Sequence, residues 1–465
     1  MRIVVMKFGG SSVADAPAIE RVVAIVARER QQGAAPVVVV SALGGVTDRL
    51  LALTAGAAPE RETALDALAR RHVEVVTGLD ANHDGEVARF IDDRFDELRS
   101  AFRELSGAEP DPRTLDIIAA AGELLSSRIV AAAMTARGLP ATWVDARDAI
   151  VTDAQHTAAL PLAAETEDAA RRAAGHHVTA GRIPILGGFV GRTLEGETTT
   201  LGRGGSDYSA SLIGAAIDAS EIQIWTDVDG MLTADPRIVA NAEVVPHLSF
   251  AEAAELAYFG AKVLHPSTIF PAVSRNIPVR ILNSRRPDAQ GTLITSTPVP
   301  DERPFASLAC KRGITVIDIT SSRMLMAHGF LRRVFEVFEH YATAVDVVTT
   351  SEVSVSVTVD DRRRVPEIVA ALTEVADVTV EDDLAILSVV GDRLRTHSAL
   401  AARRLSRRTP RVRKVRSSGC LSSGGQCGSG RCTPRRCPEA RSALGAGISE
   451  RRVHIRRPTG HGGGR

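Results

Sequence analysis

The chain lacks any run of ~18 or more consecutive apolar residues, so a membrane-spanning helix is not expected. It also lacks the pattern GxxxxGK[ST], which excludes a P-loop as the means of holding phosphates. Cysteine is nearly absent from most of the sequence: four of the five, Cys420, Cys427, Cys432 and Cys437, crowd the end, and only Cys310 precedes them. Those four are separated by 7, 5 and 5 positions, without the paired C-x-x-C of a zinc site, so no metal is expected on them. Met1-Arg2 leads straight into a strand, with no apolar segment and cleavage site. No secretory signal is expected, and the cytoplasm is the expected compartment. Net charge is missing too, but only in the total. From Arg393 onward, eighteen arginines and one lysine face two acids, a surplus of 17; residues 1–392 carry the matching deficit. An acidic body is joined to a basic tail.

A length of 465 residues corresponds to about three domains at ~150 residues each. Up to about residue 295, apolar strand signals alternate with helical ones. The runs at Ile3–Val5, Val37–Val40, Leu139–Val144, Ile183–Leu186, Ile222–Trp225 and Val279–Leu282 read as strands. Residues 60–137 read as mostly helical, with a break at Gly107–Pro112. The alternation predicts a layered α/β domain with a mainly parallel central sheet. Pro287, Gly291, Pro298, Pro300 and Pro304 mark a linker. Beyond it the order is strand, helix, two strands, helix, strand, which is ferredoxin-like. After about Arg403, apolar periodicity stops, and Arg, Gly, Ser, Cys and Pro dominate. That composition buries too little apolar surface to offset chain entropy, so 403–465 is expected to be disordered.

Four segments carry chemistry. Met6-Lys7-Phe8-Gly9-Gly10-Ser11-Ser12-Val13 ends a buried strand in a lysine and two glycines. Backbone amides freed by glycine point readily at phosphate oxygens, and ligands of open α/β sheets sit at the strands' carboxyl ends. Alone, this segment is equally a glycine turn with a solvated lysine. Thr200-Leu201-Gly202-Arg203-Gly204-Gly205-Ser206-Asp207 places glycines just ahead of a helix, where free amides surround an anion. Arg203 suits a carboxylate or a phosphate. Asp207, in the first turn, either balances the helix dipole or orients a lysine or metal. Ile224-Trp225-Thr226-Asp227-Val228-Asp229-Gly230 is a strand ending in an acidic turn, and Phe259-Gly260-Ala261-Lys262-Val263-Leu264-His265-Pro266 adds a second lysine.

Together, in this order, these segments resemble the aspartokinases, of the amino-acid kinase family. The resemblance runs from Lys7 to about Gly391, and is greatest to the lysine-sensitive, single-function type. It implies ATP-dependent phosphorylation of L-aspartate, the first step toward lysine, threonine and methionine, with Mg²⁺ accompanying ATP. It implies catalytic roles for Lys7 and Asp207. Thr47, Glu123, Phe189, Arg203 and Ser206 would bind substrate, with Arg203 on the α-carboxylate and Glu123 on the amine. Lys7, Gly9, Gly10, Ser11, Thr226, Asp227, Leu232, Arg237 and Lys262 would bind nucleotide. Leu232 replaces a family tyrosine, so any hydrogen bond from that hydroxyl is lost. His265 is read as structural, because a carboxylate nucleophile needs no base.

The resemblance also implies a catalytic domain over 1–295 and a regulatory ACT region forming a homodimer. Residues 321–391 match an ACT module inserted into a second, whose first part is 305–320. Met324, Gly329, Phe330, Leu331, Asp346 and Ser351 would line a site for L-lysine, with Asp346 on its amine. Ala327 stands where close relatives carry serine, which would lower affinity. The second half of the outer module is missing, so 305–320 is expected to lack sheet partners. The abrupt change near Arg403 reads as a shifted frame; a genuine basic tail that binds nucleic acid is the alternative, on charge alone. A kinase for glutamate or another amino acid, and a catalytically weak lysine-binding regulatory protein, also stay open.

Overall fold

The computed structural model describes residues 1–56, 58–82, 85–105, 110–259, 264, 266–296, 305–321 and 328–391. Lys262, His265, Met324, Ala327 and the basic tail lie outside the described residues.

Among the described residues, ten strands lie in 1–296, and the last falls inside the stretch expected to be linker. They are β1 (Arg2–Phe8), β2 (Ala34–Val40), β3 (Ala141–Trp143), β4 (Ile183–Gly187), β5 (Val190–Arg192), β6 (Thr198–Thr200), β7 (Glu221–Thr226), β8 (His247–Ser249), β9 (Val279–Asn283) and β10 (Thr292–Thr295). Eight form one sheet in the order β3-β4-β2-β1-β7-β9-β10-β8; β5 and β6 pair separately. Every pairing in the large sheet is parallel except β9 with β10. Residues of β1 and β2 alternate between two cores: Val4, Met6 and Phe8 face one, Val5 the other. Burial on both faces explains the unbroken Val/Ile runs that made these strands readable. The first core packs helices Ala16–Gln31, Ala58–Gly78, Glu86–Glu104 and Pro112–Ala136. The second packs Gly205–Ala216 and the segments around it. Helix Pro112–Ala136 is apolar enough to span a bilayer by composition, but its most apolar window is 83% buried in the protein. It is the core helix of the first layer. The helical stretch also breaks after Gly78, at residues 79–82, which the sequence reading did not anticipate.

After the linker, β11 (Ser307–Thr320), β12 (Val347–Thr350), β13 (Ser354–Val359) and β14 (Asp377–Val390) form an antiparallel sheet in the order β12-β13-β11-β14. With helices Phe330–His340 and Val365–Thr373 it makes the ferredoxin-like unit, around Ile317, Val334, Phe338, Val357 and Ile368.

The expectation that 305–320 lacks sheet partners is not met. Most of β11 pairs with β14, and Ser307–Arg312 lies against Ala385–Val390. The register shifts around Gly313, whose φ of 74° suits only glycine without strain. This bulge re-aims the first half of β11, so that Ala309 and Val390 join the core of the large domain. In Ser307–Arg312, β14 is the one partner strand among the described residues; Thr315–Thr320 also pair with β13.

Candidate active site

The carboxyl ends of β4, β2, β1 and β7 open on one edge of the large sheet, as the parallel registers require. Lys7, near the end of β1, extends to Asp207 in the first turn of helix Gly205–Ala216: Nζ lies 2.7 Å from Oδ1, with both side chains 12% exposed. The two motifs, 200 positions apart in sequence, thus meet as a half-desolvated ion pair.

Gly10 lets this turn press on the 42–44 loop, while a side chain at Gly9 would make only ordinary contact with the lysine. A Cβ at Gly9 would stand 3.7 Å from Nζ, and one at Gly10 would stand 3.1 Å from the Ala42 carbonyl. The Gly9 amide is not free for a ligand, as the sequence reading expected; it donates to the Trp225 carbonyl at 3.1 Å. Ser12 and Val13 donate to the carbonyls of Gly9 and Gly10, leaving the amides of Gly10 and Ser11 at the open end of a single turn.

Glu123 lies at the centre of helix Pro112–Ala136 and is 5% exposed. Gly122 beside it lets the helix press on the 42–47 loop, since a Cβ there would meet Ala42 Cβ at 2.8 Å. Thr47 donates a long hydrogen bond of 3.4 Å to Oε1, while Oε2 is buried without a partner. Glu123 lines a cavity of about 160 Å³ together with Gly10 and the 41–48 loop. Burial pushes the Glu123 carboxyl up to about 8, offset in part by backbone amide bonds, the Thr47 hydroxyl and the Lys7 charge. An acid held like this favours an arriving cation.

Phe189, Ser206 and Arg203 come together around the helix start. Gly204 caps it at φ 74°, and Phe189 is a non-glycine residue at φ 68°. Phe189 is fixed by its amide bond to Ser209 Oγ at 2.9 Å and by its carbonyl, which accepts from Leu201 at 2.9 Å. The approach depends on glycine: a Cβ at Gly188 would lie 2.6 Å from Ser206 Cβ. Arg203 is exposed, with no ion-pair partner among the described residues.

On the other side, Thr226 ends β7 beside β1, and Asp227 is exposed in the turn that follows. Leu232 bridges to Val244, and its carbonyl accepts from Ser307 of β11. Arg237 does not reach toward the sheet edge: it folds back on Asp235 at 2.8 Å, two residues away in its own turn. The sequence reading passed over Ser12 and Ser284, whose hydroxyls meet at 2.7 Å while Ser284 donates to the Thr226 carbonyl. It also passed over Asp116, taken up below.

The residues expected at a lysine site are scattered. Phe330 is spent on the core of the ferredoxin-like unit, and Leu331 is 40% exposed. Gly329 caps the helix at φ 83°. Asp346 and Ser351 flank the four-residue strand β12, roughly 16 Å apart along it, so within one chain they form no single compact pocket. Asp346 is occupied: Oδ1 accepts from Lys311 Nζ at 2.7 Å and from the Tyr258 hydroxyl at 2.9 Å. Ser351 bonds to Ser354 at 2.7 Å.

Residues 2–283 match the model of the amino acid kinase family. The chain is 38% identical over 403 residues to the lysine-sensitive aspartokinase 3 of Escherichia coli K12, covering 84% of this chain and 88% of that protein. It is 39% identical over 405 residues to the chloroplastic aspartokinase 1 of Arabidopsis thaliana, covering 83% and 70%. Among solved structures, E. coli aspartokinase III with aspartate and ADP matches with a TM-score of 0.74 and 35% identity, over 85% of this chain and 89% of that one. The same enzyme with lysine and aspartate matches with a TM-score of 0.70 and 36% identity, over 84% and 87%. The chain is an ATP-dependent phosphotransferase that belongs to the amino-acid kinase family and, within it, to the aspartokinases.

Proposed function

We propose that the chain transfers the γ-phosphoryl group of ATP to the side-chain carboxylate of L-aspartate, giving 4-phospho-L-aspartate and ADP, under restraint by lysine. The observation that carries the reading is the Lys7–Asp207 pair at 2.7 Å, with Glu123 buried behind the Gly10 loop beside it. Phosphoryl transfer asks the protein for alignment and positive charge more than for covalent chemistry. Lys7 supplies charge to the transferring group, and Asp207 holds its ammonium at the strand ends. Glu123 takes the substrate amine and Arg203 its α-carboxylate, which fixes the other carboxylate as nucleophile. Thr47, Phe189 and Ser206 shape the substrate side.

The nucleotide lies over Gly10, Ser11, Thr226, Asp227 and Leu232, with Lys262 and Arg237 closing on it; Arg237 must first leave Asp235. The turn suits phosphate groups because the amides of Gly10 and Ser11 lie at its open end. Among the described residues no three His, Cys, Asp or Glu side chains gather, so Mg²⁺ would rest on the phosphates with Asp207 as its nearest protein carboxylate candidate. Bound there, it would neutralise phosphate charge.

The regulatory reading assigns lysine to the ferredoxin-like unit. Because Asp346 and Ser351 do not converge within one chain, a second copy, paired through this unit, completes the site. We assign the enzyme to the cytoplasm, 1–295 to catalysis and 321–391 to the inserted ACT module, and read the residues beyond 403 as the product of a shifted frame.

A coupled assay of ADP release with aspartate and with glutamate tests the reaction. Aspartate is expected to support turnover and glutamate not. Lys7→Ala and Asp207→Ala should each lower kcat by roughly 10²–10³, the scale of a lost transition-state contact, with the thermal midpoint kept. Full turnover in both variants would sink the assigned roles.

A further inference from the structure

Asp116 lies seven residues before Glu123 on helix Pro112–Ala136, two turns away and about 10 Å along the axis. Its carboxylate is 0% exposed, and among the described residues no lysine or arginine pairs with it. A buried carboxylate is tolerated only when its lone pairs are filled. Here they are. The Thr157 amide donates to both oxygens at 3.0 and 3.1 Å, His156 Nδ1 meets Oδ2 at 2.7 Å, and the Thr200 hydroxyl donates to Oδ1. His156 Nε2 faces Glu197 at 3.5 Å, and Glu197 pairs with Arg113 at 2.8 Å. Thr157 is β-branched yet held at φ 70°, a strained conformation that needs surrounding support.

Both features converge on the turn that carries Arg203. Thr200 ends β6, three residues before Arg203, and its carbonyl accepts from Ala159 at 2.9 Å. The 157–158 backbone packs against Gly202, where a Cβ would meet the Thr157 carbonyl at 3.4 Å and Ala158 Cα at 3.5 Å.

We propose that Asp116 is a positioning residue for substrate recognition: through Thr200 and Thr157 it fixes the 201–204 turn, and so sets the spacing between Arg203 and Glu123. One helix then carries both the acid that meets the substrate amine and the anchor of the arginine that meets its carboxylate. The inference rests on the aspartate reading of Arg203 and Glu123.

Thr200→Val removes one hydroxyl at nearly constant shape, and Asp116→Asn removes the charge while keeping the outline. In both folded variants the KM for aspartate is expected to rise at least tenfold, with the KM for ATP changed less than twofold and kcat less than threefold. Hydrogen exchange of the Gly202, Arg203 and Gly204 amides should speed at least tenfold, while residues 118–134 stay protected. A purely structural role would lower the melting temperature and the active fraction without changing the ratio of the two KM values, and that result overturns the proposal. The exchange measurement needs no turnover. Faster exchange at 202–204 supports the anchor even if aspartate is not the substrate, and unchanged exchange overturns it even if aspartate is.

Discussion

Glu123 holds its proton at neutral pH until a cation arrives, because burial has pushed its carboxyl up to about 8. Binding a substrate ammonium requires the carboxylate, so below pH 8 each bound aspartate must expel one proton. The KM for aspartate should therefore fall about tenfold per pH unit up to about pH 8 and then level off, while the KM for ATP stays flat. Glu123→Gln should bind aspartate weakly and abolish the slope; a slope that survives would remove Glu123 from the amine site. His72 behaves in the opposite sense. It is 0% exposed, its Nδ1 bonds to the Leu68 carbonyl at 2.7 Å, and Nε2 has no partner. Desolvation by burial lowers it to about 4. The unfolded chain takes up this proton near 6.5, the folded one only near 4, so stability is full above 6.5 and is lost as pH falls from 6.5 to 4. The loss is on the order of 3 kcal/mol. His72→Leu should flatten the acid limb of the melting temperature against pH; an unchanged limb would place the acid sensitivity elsewhere.

At the scale of elements, the site is made of backbone approaches that only glycine permits. Gly122 brings its helix onto the 42–47 loop, and Gly188 brings the end of β4 onto the start of helix Gly205–Ala216. Gly188→Ala would place Cβ 2.6 Å from Ser206 Cβ, beneath a helix start that cannot yield without moving Arg203. Aspartate kcat/KM is expected to fall by at least two orders of magnitude, the scale of a displaced contact, with ATP binding measured by calorimetry largely kept. An active Gly188→Ala enzyme would show that this helix start tolerates a shift. These approaches also mark how far the sequence could be read. The doubly buried strands were legible as Val/Ile runs, and the motif segments singled out Lys7, Arg203 and Asp207 as candidates, whereas Glu123 entered only through the family resemblance. The short strands β5, β6, β8 and β10, of three or four residues, carry too little periodicity to be seen. The Asp116 cluster joins positions 40 to 84 residues apart through side chains of ordinary type. The pairing of Ser307–Arg312 with Ala385–Val390 depends on a bulge at Gly313 whose register no local pattern sets. Arg237 was placed by its motif, yet its nearest acid, Asp235, holds it in the turn.

At the scale of the whole molecule, two groups of polar contacts add to the packing of Ala309 and Val390 where the four-stranded sheet meets the large α/β unit. One lies along β11, against the 231–233 turn, with the Leu308 amide donating to the Thr233 carbonyl at 2.9 Å and the Ser307 hydroxyl to that of Leu232 at 2.7 Å. The other is the charged cluster at Asp346, whose side chain is 8% exposed. Lys311 pairs with Asp346 at 2.7 Å and Asp360 at 2.8 Å, and its ammonium lies 5.4 Å from the ring centre of Tyr258. Tyr258 is the penultimate residue of helix Phe250–Phe259, which runs directly into the segment that holds Lys262. On the proposed reading, an effector amine that binds Asp346 competes with Lys311 and the Tyr258 hydroxyl for its Oδ1. Among the described residues, Asp346 Oδ2 is buried without a hydrogen-bond partner. Lys311→Met strands this carboxylate, at a cost of up to about 3–5 kcal/mol for a buried pair, part of which an arriving ammonium recovers. Lysine should bind this variant several-fold more tightly by calorimetry. Tyr258→Phe leaves the carboxylate paired with Lys311 and cuts the link to the helix, so lysine should still bind it but inhibit less. Weaker lysine binding to Lys311→Met would mean that Lys311 supports the effector site rather than competes for it, and equal inhibition of Tyr258→Phe would route the signal through the β11 backbone instead.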